Sequence, residues 1–108
     1  MMLKKTWAVL LAGIAALAFA TPAQADPDSD FAKELHVYGI YGQKDFNAWI
    51  GKIACKRLDR GVDVSAGDSA KFVADQLPRG SSTEQAYQFL RAAMNYYCPD
   101  KHILLTQQ

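Results

Sequence analysis

Lys44-Asp45-Phe46-Asn47-Ala48-Trp49-Ile50-Gly51-Lys52-Ile53-Ala54-Cys55-Lys56-Arg57-Leu58-Asp59-Arg60-Gly61 is the stretch that fixes the fold class. It holds no proline, repeats its apolar residues at helical spacing and closes on a glycine, which tolerates the left-handed turn that ends a helix. At about 100° per residue, Phe46, Trp49 and Ile53 share an arc of about 60°, and Ile50, Ala54, Leu58, Gly51 and Cys55 continue round from it. Asp45, Lys52, Lys56 and Asp59 occupy the remaining arc. The charge-free sector is about 240° wide, interrupted by Arg57 and Arg60, whereas a helix lying on a single neighbour needs only about 100°. The spacing therefore predicts a helix over 44–60 that is central and touched from two sides. On that reading Phe46, Trp49 and Ile53 belong to the core. Were one neighbour to cover the helix, they would instead form an exposed apolar patch of the kind that marks partner contact. Gly51, one turn before Cys55, weakens the helix and predicts close approach of another backbone.

Three further helices flank this one. The first is expected over Asp30–Tyr38, capped by Ser29 or Asp28 and ended by Gly39, with Phe31 and Leu35 as its apolar pair and residues 26–29 as a flexible start. The third runs over Ala66–Leu77 behind Ser65 and stops at Pro78, with Ala70, Val73, Ala74 and Leu77 inward and Phe72 outward. The fourth runs over Thr83–Tyr97. Ser81 with Glu84, or Ser82 with Gln85, supplies a capping box, and Pro99 ends it. Its inner face is Ala86, Leu90, Ala93, Met94 and Tyr97, which leaves Phe89 and Tyr96 as a second, outward stripe. Residues 100–108 form a tail in which Ile103-Leu104-Leu105 packs over the bundle or frays.

Cys55 and Cys98 are the only cysteines. The chain around them begins with Lys4 and Lys5, continues through an apolar stretch to Ala20, and reaches the small-residue exit Ala23-Gln24-Ala25, which together form the pattern of a cleavable export signal. Its apolar part is too short for the roughly 20 residues of a bilayer span. Residues 26–108 are then expected as a single secreted or extracytoplasmic domain, in a compartment where Cys55 and Cys98 pair. With neither a C-x-x-C motif nor clustered histidines, the pair reads as structural. The expected fold is all-α: a small four-helix, bundle-like domain closed by one disulfide, after a cleavable signal.

Residues 26–108 contain 10 basic and 11 acidic side chains. This near-neutrality argues against nucleic acid, which needs a basic face, and against electrostatic membrane docking. Asp30-Phe31, Leu35, Gly39-Ile40, the step Gly51, Cys55, Leu58, Gly61, and the closing Tyr97-Cys98-Pro99 together resemble domain of unknown function 732, a family of small secreted mycobacterial proteins. The resemblance covers nearly all of residues 26–108. It implies an exported helical domain with a disulfide and no assigned reaction. Ala32 departs from it, since relatives tend to carry a larger apolar residue there.

Catalytic chemistry is not legible. Asp26, Asp28 and Asp30 open like a calcium loop, but Phe31 stands at the sixth position and Val37 at the twelfth, where glycine and an acid are required. Gly67-Asp68-Ser69 lacks a base to activate a serine and reads as the start of a helix. His36, Tyr38, Tyr41 and His102 include haem-ligand types. They support only an alternative reading, a carrier of a small apolar ligand such as haem or lipid. The main expectation is a non-enzymatic interaction protein of the cell envelope or extracellular space, without cofactor or metal, whose partner is a protein or an envelope lipid. Its candidate interaction surface is Phe72, Phe89, Tyr96 and Trp49, because aromatics are favoured at interfaces.

Overall fold

The computed structural model describes residues 26–107; the expected signal segment, residues 1–25, lies outside the described residues. The described chain is all-helical, with four α-helices and a closing 3-10 helix: α1 Pro27–Val37, α2 Lys44–Asp59, α3 Ala66–Gln76, α4 Thr83–Tyr97 and the 3-10 helix Pro99–Gln107.

α1 begins three residues before the expected start. Asp26 caps it, its carboxylate accepting from the Asp28 backbone N–H at 3.2 Å and from the Ser29 hydroxyl at 2.7 Å. Pro27 follows at the first helical position, where its fixed φ suits the helix and its missing N–H is not needed. Residues 27–29, expected to be flexible, are thus helical. At the other end Gly39 takes φ +78°, and the N–H groups of Gly39 and Ile40 donate to the carbonyls of His36 and Leu35. This is a Schellman closure, with Ile40 buried beside Leu35. Gly61 (φ +74°) closes α2 in the same way, Val62 donating to Arg57 and Gly61 to Leu58. Of the two capping boxes offered by the sequence, α4 uses Ser82 with Gln85, bonded reciprocally at 3.0 and 2.9 Å. The Gln85 amide also donates to the Tyr38 carbonyl at 3.1 Å, which ties the start of α4 to the end of α1.

α4, not α2, is the central element: it packs against α1, α2, α3 and the 3-10 helix. Its buried residues Ala86, Phe89, Leu90, Ala92, Ala93 and Met94 span about 200° of its circumference at about 100° per residue. Phe89, expected to face outward, is therefore completely buried, its ring edge-on to Phe31 at 5.2 Å. α2 meets α1, α3 and α4, but buries the arc from Ile50 through Ala54, Leu58 and Gly51 to Cys55 and Ala48, with Asn47 inside it. Gly51 sits where the packing is tightest. A Cβ there would lie 3.1 Å from the Tyr97 ring, 3.2 Å from the Phe31 ring and 3.3 Å from the Ala93 Cβ, so side chains rather than another backbone demand the glycine. One turn on, Cys55 is bonded to Cys98 with Cα atoms 5.9 Å apart, fastening α2 to the end of α4. In the 3-10 helix Leu104 and Leu105 rest on the core while Ile103 stays exposed.

Candidate functional site

The outward side of α2 is the most distinctive surface. Trp49 is 58% exposed and Phe46 43%, with ring centroids 6.1 Å apart. Ile53 beside them is partly covered. The expectation that this trio is core is corrected: α2 has neighbours on three of its flanks but none over this one, so sharing a helix face did not bring burial. Phe46, Trp49, Ile53, Lys56 and Arg60 follow one another at intervals of 3, 4, 3 and 4 and form a single ridge along the helix. Its first half is apolar and its second half cationic.

The other expected surface aromatics fare differently. Phe72 is partly covered, because the Arg57 guanidinium lies 4.4 Å above its ring. Tyr96 packs against the core 6.1 Å from Phe31, and burial with Glu34 nearby pushes its hydroxyl above the usual phenol range. Of the four, Trp49 alone presents most of its side chain to solvent.

Two polar groups that the sequence did not reveal hold the scaffold behind this ridge. Asp63 is buried in the turn between α2 and α3. It accepts both arms of Arg57, at 2.9 Å from Nε and 3.0 Å from Nη2, and the Ser69 hydroxyl at 3.2 Å. This bond raises the Arg57 pKa further. Nothing in the spacing of Arg57 and Asp63 announces the pair; only the Schellman turn at Gly61 folds one back on the other. At the opposite flank Asp28 accepts from the Tyr97 hydroxyl at 2.7 Å and from Lys52 Nζ at 3.3 Å. Burial, with the Asp28 carboxylate beside it, drives the Tyr97 pKa far above its ordinary value. Asp26 caps α1 and Asp28 is engaged by Tyr97 and Lys52, so two acids of the calcium-like opening are committed to the scaffold, while Asp30 is exposed.

Ser69 is fully buried and Asp68 accepts from the Val64 N–H at 3.1 Å, both serving the start of α3. His36 is exposed and stacks edge-on with Tyr41 at 5.0 Å, and His102 bonds Asn95. Among the described residues no group of three or more His, Cys, Asp or Glu could hold a metal, and no helix is long and apolar enough to cross a membrane. The clefts that open to solvent among the described residues include three. One of about 440 Å³ lies between the turns, lined by Ile40, Tyr41, Pro78 and Arg79. One of about 450 Å³ adjoins the disulfide. One of about 280 Å³ lies between α3 and α4, over Gly67, Ala70, Ala74, Ala86 and Tyr87.

A disulfide-closed bundle with this order of helices is matched, over residues 27–100, by the family described as "Protein of unknown function (DUF732)". The chain belongs to this family. Similar proteins include two from strains of Mycobacterium tuberculosis, "Uncharacterized protein MT0585" and "Uncharacterized protein Rv0559c". Each is 50% identical over 96 residues, covering 88% of this chain and 85% of the relative. No solved structure matches the chain. The DUF732 match takes in α1 to α4, the disulfide and the whole α2 ridge, so the ridge is part of the family domain rather than an appendage to it.

Proposed function

We propose that this DUF732 protein is exported and acts, without a reaction of its own, as an interaction protein of the cell envelope or extracellular space, docking through the outward ridge of α2. The observation that carries this reading is the exposed Phe46–Trp49 pair on a helix whose opposite face is fully committed to the core. Large aromatics left in water are unfavourable by roughly 1.5–3 kcal/mol each relative to burial, and two adjacent ones on a rigid helix make a ready contact surface. Export is supported by the charged, apolar and small-residue segments of residues 1–25 and by a disulfide that suits an oxidising compartment. The absence of a reaction is supported by the roles found for Ser69, Asp68 and Asp63, each of which serves the scaffold.

The test is retention. The secreted protein, begun at Asp26 as shown by intact mass, is incubated with isolated cell envelope and sedimented. Phe46→Ser with Trp49→Ser abolishes co-sedimentation, while Phe72→Ala does not. Equal retention of all three proteins contradicts docking through α2, and a mass that still includes residues 1–25 contradicts export.

A further inference from the structure

Resting on the docking role of the α2 ridge, we infer that its partner is the interfacial layer of an anionic lipid membrane. The ridge places two kinds of side chain in series. Phe46, Trp49 and Ile53 come first, and Lys56 and Arg60 follow one and two turns beyond Ile53. Both cations are exposed, and among the described residues neither side chain has an ion-pair or hydrogen-bond partner. The other three cations of α2 are held elsewhere: Lys44 by Asp26, Lys52 by Asp28, and Arg57 by Asp63. Asp59, on the same helix, is engaged by Lys101. The unpaired positive charge of α2 is therefore concentrated on the ridge, beside the exposed rings, although residues 26–108 carry one more acid than base. Two acids of this helix border the ridge: Asp45, four residues before Trp49 at its apolar end, and Asp59, three residues after Lys56, which is the one Lys101 engages.

Aromatic rings settle at the boundary between headgroups and acyl chains, and lysine and arginine meet lipid phosphates at the same level. The ridge matches both layers. Its shape favours lipid over a folded partner: α2 is about 24 Å long and convex, and three partly exposed side chains offer on the order of 200–300 Å². A stable protein contact needs about 800 Å² per side with matched shape. A bilayer surface adapts to a convex ridge. With no net positive charge to steer it, the domain binds by local contact and not by long-range attraction.

Trp49 is the only tryptophan in residues 26–108, so its emission reports on the ridge alone. The protein spanning those residues is titrated with phosphatidylglycerol–phosphatidylcholine vesicles and with phosphatidylcholine vesicles. The expected result is a blue shift with the anionic vesicles and binding roughly ten- to thirty-fold weaker to the zwitterionic ones. Lys56→Glu with Arg60→Glu removes that preference at unchanged thermal stability, and Asp45→Lys strengthens anionic binding. Equal binding to both vesicles overturns the proposal, as does no shift with either. A blue shift that grows with protein concentration in the absence of vesicles also overturns it and gives the ridge to a second copy of the chain. If vesicles fail while envelope retention still requires Trp49, the partner is a protein and docking through α2 survives; if retention does not depend on Phe46 and Trp49 either, both readings fall.

Discussion

At the scale of single residues, the fold is held by a few polar contacts that burial makes unforgiving. Asp63 is one. Removing its carboxylate leaves Arg57 and the buried Ser69 hydroxyl without their acceptor, so Asp63→Ala is expected to destabilise the domain by about 3 kcal/mol, read as a lowered midpoint in urea. Gly51→Ala sets a helix-propensity gain of about 1 kcal/mol against three simultaneous contacts at 3.1–3.3 Å with Tyr97, Phe31 and Ala93. Phe31 is itself wedged between Phe89 and Tyr97 and cannot retreat. Overpacking of this kind outweighs propensity, and a net loss of about 1 kcal/mol is expected in the same assay. Tyr97 is expected to contribute to the alkaline limit. Its folded-state pKa is raised above the unfolded value of 10.0. The stabilisation it gives is therefore fully present below pH 10 and is lost as pH rises beyond it, because the unfolded phenol ionises first. Tyr97→Phe is expected to move the alkaline unfolding midpoint upward, measured by circular dichroism. An unmoved midpoint would place the alkaline transition on other groups.

At the scale of elements, the disulfide joins α2 to the end of α4 across 43 residues. Loop closure of that length corresponds to roughly 4 kcal/mol. Cys55→Ser with Cys98→Ser is therefore expected to lower the thermal midpoint by at least about 15 °C, since 1 kcal/mol shifts a domain of this size by about 4–8 °C; calorimetry checks it. Helix limits were largely legible in the sequence. α4 spans 83–97 as its capping serines and Pro99 indicate, and α2 and α3 end within one residue of expectation, since glycine and proline act locally. The start of α1 was missed because Asp26-Pro27 reads equally as a loose terminus or as a cap followed by its first helical residue. The faces were less legible. A helical wheel shows that Phe46, Trp49 and Ile53 lie together, and that Phe89 lies off the main stripe of α4, but it does not show which flank acquires a neighbour. α4 gained neighbours around most of its circumference and took Phe89 inside. α2 did not, and its aromatic pair was left in water. The Arg57–Asp63 and Asp28–Tyr97 contacts were invisible for the same reason, because each depends on how elements come together.

At the scale of the whole molecule, the domain combines a closed, stapled core with an uncovered aromatic ridge on α2. The core accounts for Gly51, Cys55 and Cys98, and the ridge accounts for the part of α2 that packing does not use. The most direct measurement is collisional quenching of Trp49 by acrylamide in the protein spanning residues 26–108, alone and with isolated cell envelope. The structure and the docking role together predict ready quenching in the free protein and shielding on the envelope. A tryptophan already shielded in the free protein would place Trp49 in the core, and quenching unchanged by envelope would leave the ridge without its partner.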